Sequence, residues 1–177
     1  MKNLIKKLVE TYGPSGDEEE IREIIKNEIK DSVDQIEIDA LGNLIALKKG
    51  QKDKKIMLAA HMDEIGLIAN HIDDDGLIRF DSVGGSSPYM LLGERVLFNG
   101  ETAGVIDKEG KLDDIKKLNY DKLYIDIGAQ DKEEAQEKVQ LGDTASYYRE
   151  FQDLGDRVTA KSLDDRIGCV TLIETLK

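Results

Sequence analysis

The spacing of apolar residues changes twice along this chain, and that change limits the folds open to it. Near the N-terminus apolar positions repeat at helical spacing: Leu4, Ile5, Leu8 and Val9, then Ile21, Ile24, Ile25 and Ile29. From about residue 70 to 157 the pattern becomes short strands separated by Gly and Asp: LIRF, RVLFN, TAGVI, KLYIDIG and ASYYREF. One helix is predicted inside that stretch, at DKEEAQEKV. The segment VTAKSLDDRIGCVTLIETLK then returns to strand, loop and helix. Short strands at regular spacing with turn residues between them predict a small β barrel or sandwich. The expected architecture is therefore an α/β domain made of residues 1–69 and 158–177, interrupted by a β-rich insert at 70–157.

Local signals refine the first part. YGPSGDEEE ends one helix and starts another; Ser15 and Glu18 fit a capping box, and the acids at 17–20 suit a helix N-terminus. DQIEID alternates as a half-buried strand does, ALGN is a turn, and LIAL is a second strand. IMLAA, residues 56–60, is a continuous apolar run, as expected of a strand covered on both faces. The last helix reaches Lys177 with no C-cap glycine, and an α/β domain with about three strands is thin. The chain therefore reads as part of a longer protein, with apolar surface exposed where the remainder packs.

Charge and cysteine usage narrow the function. The formal net charge of −12 opposes nucleic-acid binding, which needs a Lys/Arg face. The single cysteine, Cys169, allows no internal disulfide and fits the reducing cytoplasm. It sits in an apolar helical run and reads as a packed residue rather than a nucleophile. No signal peptide is visible, and no apolar stretch approaches the ~20 residues of a membrane span.

Two short motifs could carry chemistry. IMLAAHMDEIG ends an apolar run on His61, with Asp63 two residues on. A neutral imidazole at a strand's C-terminal end can bind a metal while a carboxylate holds its other ring nitrogen. The alternative is a histidine satisfied at a strand end beside solvent-facing acids. SLDDRIG places Asp164 and Asp165 before Arg166 in a loop that leads into a helix. Such a carboxylate can bridge two cations, or simply complement the helix dipole. His71, in NHIDDDG, reads as a surface histidine at a loop edge. There is no GxGxxG, P-loop or GxSxG signature.

In order along the chain, YGPSGDEEEIREII, DALGNLIALKKG, IMLAAHMDEIGLI, SVGG, LLGERV, GVI, DIGAQDKEEAQEKVQLGD and AKSLDDRIG are similar to blocks of one known family. The chain resembles the tetrahedral (TET) dinuclear metallo-aminopeptidases, which include glutamyl and deblocking aminopeptidases and some members labelled endoglucanase or cellulase. The resemblance implies a zinc-exopeptidase-like α/β catalytic domain with a mixed sheet, incomplete here, and an inserted β barrel that mediates dimerisation. It implies a homo-oligomer building from dimers to a dodecamer, with short peptides as substrates. It also implies that His61 ligates one metal ion, that Asp63 orients His61, and that Asp164 bridges two divalent ions, zinc or cobalt. Glu64 stays an unassigned neighbour.

The sequence departs from the family pattern at DKEGKLDDIKKLNY, where a Gly-Lys-Pro-Pro-His-like stretch is usual. The family's Glu-Glu pair, further acid ligand and final His have no counterpart within these residues. The chain alone is therefore expected to be inactive, with metal weak or absent. A non-catalytic oligomerising module is the alternative. An endoglucanase is disfavoured, because no Trp and only three Phe are available to stack on sugars.

Overall fold

A computed structural model describes residues 1–111 and 115–177. In chain order its elements begin with α1 (Lys2–Glu10), α2 (Glu19–Ile29), β1 (Gln35–Ile38) and β2 (Leu44–Leu47). Then come β3 (Gly66–Ile72), β4 (Ile78–Val83), α3 (Pro88–Leu91), β5 (Arg95–Phe98), β6 (Thr102–Lys108) and β7 (Leu123–Asp126). The chain ends with α4 (Lys132–Lys138), β8 (Thr144–Tyr147), β9 (Gln152–Asp153), β10 (Val158–Thr159) and α5 (Leu163–Leu176). These form two compact units, one of Met1–Glu64 and Glu150–Lys177, the other Ile65–Arg149. The divisions expected from sequence were 69/70 and 157/158. The first shifts because β3, which starts before residue 70, is a barrel strand, and the second because β9 pairs with β10 rather than with the barrel.

The Ile65–Arg149 unit is a closed antiparallel barrel in the order β3-β4-β7-β6-β5-β8. Closure follows from alternation: Ile78 and Phe80, Val96 and Phe98, Leu123 and Ile125, and Ala145 and Tyr147 all point inward and are buried. In β3 the alternation breaks. Leu67 and Ala69 face the core, the register slips between Ala69 and His71, and Ile72 faces the core next. A bulge that adds one residue reverses which face the following residues occupy. That break hides the strand from a strict period of two. His71 accordingly lies on a strand rather than a loop edge, exposed, 3.6 Å from Asp73. At the β3–β4 turn Gly76 has φ +81, and a Cβ there would lie 2.8 Å from the Asp131 carbonyl. A left-handed backbone pressed against a neighbouring chain leaves only glycine. Residues 112–114 of the divergent DKEGKLDDIKKLNY segment lie outside the described residues.

In the other unit α1, α2 and α5 bury Leu8, Ile21, Ile25, Ile29, Cys169, Val170 and Ile173 together. Ile36, Leu44 and Ala46 of the antiparallel β1–β2 pair cover one side. Two expectations fail here. IMLAA forms no strand: residues 54–63 join no ladder, and Ile56, Met57 and Leu58 are exposed. Apolar content suits a residue to a sheet, but a strand exists only where its N–H and C=O groups meet a neighbour. The Ser15–Glu18 capping box is also absent. Glu18 is the N-cap of α2 without a side-chain cap, and the Ser15 hydroxyl donates to Asp63 instead. The helix begins at Glu19, three residues too late for Ser15 to be its N-cap.

Two predictions follow from these cores. Phe98 is fully buried in the barrel, so Phe98→Ala should cost about 3–5 kcal/mol in chemical denaturation of the barrel. Tyr89→Ser, at an exposed site, should stay within about 0.5 kcal/mol. Burial raises the Cys169 thiol to about 11, so it should resist alkylation at pH 8 in the folded chain and react once unfolded. Because the folded value is the raised one, this contribution to stability is complete below about 9. It is lost as pH climbs toward about 11. Urea midpoints measured across that range for wild type and Cys169→Ala should diverge in that direction.

Candidate functional site

The first unit brings the three residues singled out from sequence into one cluster. His61 and Asp63 lie at the end of the irregular 54–63 segment, and Asp164 lies at the start of α5. Ser162, just before α5, has left-handed dihedrals (φ +59), and Asp164 and Asp165 have non-helical ones. The Asp164–Asp165 peptide bond is cis. The non-helical dihedrals make the opening of α5 a loop, and the Asp164 side chain on it is 96% exposed.

The imidazole of His61 is held between two carboxylates. Its Nδ1 lies 3.0 Å from Asp63 Oδ1 and its Nε2 lies 3.1 Å from Asp164 Oδ1. Burial pulls the imidazolium down, but hydrogen bonds to Asp164 and Asp63 outweigh it and hold His61 above its ordinary value. Burial raises Asp63, yet the Ser15 hydroxyl and His61 together bring its carboxyl below the usual range. Ser15 itself is fixed by backbone. The Ser15 N–H donates to the Glu64 carbonyl at 3.1 Å and the Glu64 N–H donates to the Gly13 carbonyl at 3.0 Å, a parallel bridge between Pro14 and Glu64.

Beneath the exposed cluster is a buried ionic one. Glu64 is 4% exposed; its carboxylate accepts from Lys161 Nζ at 2.7 Å and Ser162 Oγ at 2.5 Å. Arg166 is fully buried, 3.5 Å from Glu64, with Nε donating to the Met62 carbonyl at 3.0 Å. Its Nη1 donates to the carbonyls of Leu8 at 2.7 Å and Thr11 at 2.5 Å, and Nη2 to Gly13 at 3.5 Å. Burial pulls the Lys161 ammonium and the Arg166 guanidinium below their ordinary values, opposed in both by Glu64. Sequence reasoning did not assign Glu64, Lys161, Ser162 or Ser15. The available signal was two charged residues, Glu64 and Arg166, each set directly against an apolar run.

The donor chemistry can accept a divalent ion in part. Two ligands about 2.1 Å from one tetrahedral ion lie about 3.4 Å apart. The His61 and Asp164 donors are at 3.1 Å, so a small opening would admit one. Among the described residues no group of three or more His, Cys, Asp or Glu side chains is disposed to hold a metal. Catalytic zinc usually takes three protein ligands, so this pair is part of a site rather than a whole one.

Residues 42–177 match the M42 glutamyl aminopeptidase family. The chain is 50% identical over its whole length to an Acetivibrio thermocellus protein provisionally named an aminopeptidase, and covers 53% of that protein. It is 38% identical to the lysyl aminopeptidase of Pyrococcus furiosus, over 98% of this chain and 54% of that one. Among solved structures, a Thaumarchaeota archaeon TET aminopeptidase aligns with a TM-score of 0.92 at 33% identity, over 99% of this chain and 52% of that one. The Pyrococcus horikoshii TET1 peptidase, described as assembling into a tetrahedron or a large octahedral shell, aligns at 0.87 and 42% identity, over 99% and 55%. A Thermotoga maritima structure named endoglucanase aligns at 0.89 and 38% identity, over 97% and 53%. The chain spans about half the length of the relatives it matches. An M42 match across three quarters of the chain, with the barrel and the His61 cluster in place, makes it a member of the M42 glutamyl aminopeptidase family.

Proposed function

We propose that the whole protein is a metal-dependent aminopeptidase that removes N-terminal residues from short peptides. The observation that carries this is His61 clasped between Asp63 and Asp164 in a chain of the M42 family. His61 and Asp164 would hold metal, with Asp164 free at its exposed face to bridge a second ion, zinc or cobalt. Such ions, when bound, polarise a scissile carbonyl and generate a nucleophilic water. The chain's own residues prepare for that. Asp63 accepts the Nδ1 proton of His61 and fixes the ring's orientation, so that Nε2, once free of the proton it shares with Asp164, would offer its lone pair to an ion. Ser15 steadies Asp63 from the other side. The further ligands and the general base belong to the part of the whole protein outside these residues, so residues 1–177 alone bind metal weakly and turn over no peptide.

The barrel is proposed as the dimerisation element of a homo-oligomer that builds to a dodecamer; the horikoshii relative's assembly into a tetrahedron or a large octahedral shell supports homo-oligomerisation. A single buried thiol suits a cytoplasmic enzyme.

Full-length protein with zinc or cobalt should hydrolyse aminoacyl-p-nitroanilides. His61→Ala and Asp164→Ala should each lower kcat/KM by more than about 100-fold. Wild type inactive under every divalent metal, or His61→Ala at wild-type rate, would sink the proposal. Release of reducing sugar from carboxymethylcellulose by the pure protein would favour the endoglucanase label instead. Sedimentation should give a mass near twelve subunits.

A further inference from the structure

The buried cluster ties together the two loops that carry the candidate ligands, and the ties cross. From the His61 loop, Glu64 reaches the Asp164 loop, where it accepts from Lys161 at 2.7 Å and Ser162 at 2.5 Å. From the Asp164 side, Arg166 reaches back to the Met62 carbonyl at 3.0 Å, between His61 and Asp63. Lys161 stands three residues before Asp164, and Glu64 three after His61. The 3.1 Å separation of His61 Nε2 and Asp164 Oδ1 is thus bracketed by contacts on both sides. The exposed pair's own contact is one hydrogen bond to an Asp164 side chain 96% in solvent, a weak constraint on that spacing.

We propose that Glu64 is a positioning residue that sets the distance and facing of His61 and Asp164 across the two loops. Its carboxylate, carried on the His61 loop, accepts two short charge-assisted bonds from the Asp164 loop, and such bonds fix geometry better than neutral ones. Glu64 and Lys161 are nearly inaccessible, with side-chain exposures of 3% and 9%, so water does not loosen the tie. A buried pair of this kind contributes little net stability, because desolvation offsets the attraction; its better-attested effect is specifying one arrangement. A site whose ligands are already spaced binds an ion without first ordering two loops. This inference rests on reading His61 and Asp164 as ligands.

The test uses the full-length protein, with zinc affinity measured by chelator competition, Tm, and peptidase kinetics read side by side. Glu64→Gln keeps the shape and removes the charge. It should weaken zinc binding 10–100-fold, the range seen when groups supporting metal ligands are altered. kcat should fall with it, while KM changes less than about threefold. Glu64→Gln with Lys161→Met removes the ammonium left unpaired, so Tm should recover toward wild type while zinc affinity stays low. Ser162→Ala leaves the buried charges paired and should fold normally, with zinc binding weakened several-fold.

A purely structural role predicts otherwise: zinc affinity would return together with Tm in the double variant, or Ser162→Ala and Glu64→Gln would bind zinc within about twofold of wild type. Either result overturns the inference. His61→Ala and Asp164→Ala, run alongside, separate the two readings. If they abolish zinc binding and Glu64→Gln does not weaken it, only the positioning role falls. If they leave zinc binding intact, the ligand assignment falls and the positioning role with it.

Discussion

A guanidinium with no solvent exposure constrains the first unit more than any other group. Arg166 stays charged at any accessible pH, and its five N–H donors need acceptors wherever it is buried. The fold supplies backbone carbonyls from Leu8, Thr11, Gly13 and Met62, with the Glu64 carboxylate close by. Leu8 and Thr11 lie at the C-terminal end of α1, where carbonyls lack helical partners and the dipole favours a cation. One side chain therefore closes α1, anchors the loop that leads to α2, and fixes the segment carrying His61. The close fit is visible at Gly13, where a Cβ would lie 2.8 Å from Ile21 and 3.0 Å from the Arg166 guanidinium. Arg166→Lys would keep the charge but not the fork, so it could not reach all of these carbonyls.

The charge of Arg166 explains why Glu64 is buried, and Glu64 in turn explains Lys161. The three form a small alternating array of two cations about one anion, with the Ser162 hydroxyl as an additional donor. Its net charge is positive, and the Asp63, Asp164 and Asp165 carboxylates lie beside it in the sequence.

Much of the barrel was legible in the sequence, because alternation and turn residues are local signals and a closed barrel satisfies its strands internally. The five strand segments picked from sequence overlap β4, β5, β6, β7 and β8, and α4 falls where DKEEAQEKV predicts. β3 was illegible because its bulge at Asn70 breaks the period within a seven-residue strand. The reverse error occurred at Ile56–Ala60, where composition favoured a strand and no backbone partner exists among the described residues. Strand identity in that segment is a property of neighbours, which no local pattern encodes.

The cluster was legible in a different way. His61, Asp63 and Asp164 belong to residue types that bind metals, so spacing and resemblance could find them. Glu64, Lys161 and Ser162 act through partners about a hundred residues away in sequence, and their types are common on any surface. Ser15 shows the difficulty best. Local rules assign its hydroxyl to the start of α2, and only the folded chain reveals that the helix starts later and that Ser15 donates to Asp63. A hydroxyl can donate to a carboxylate and still accept a backbone N–H, so the bond to Asp63 does not exclude a cap; the cap is missing because α2 starts at Glu19, with Glu18 as its N-cap. The loss of the cap is tolerable because Glu19 and Glu20 already complement the α2 dipole. The Ser15 hydroxyl instead orients the residue that holds His61, and that bond places the Pro14–Ser15 loop within the site.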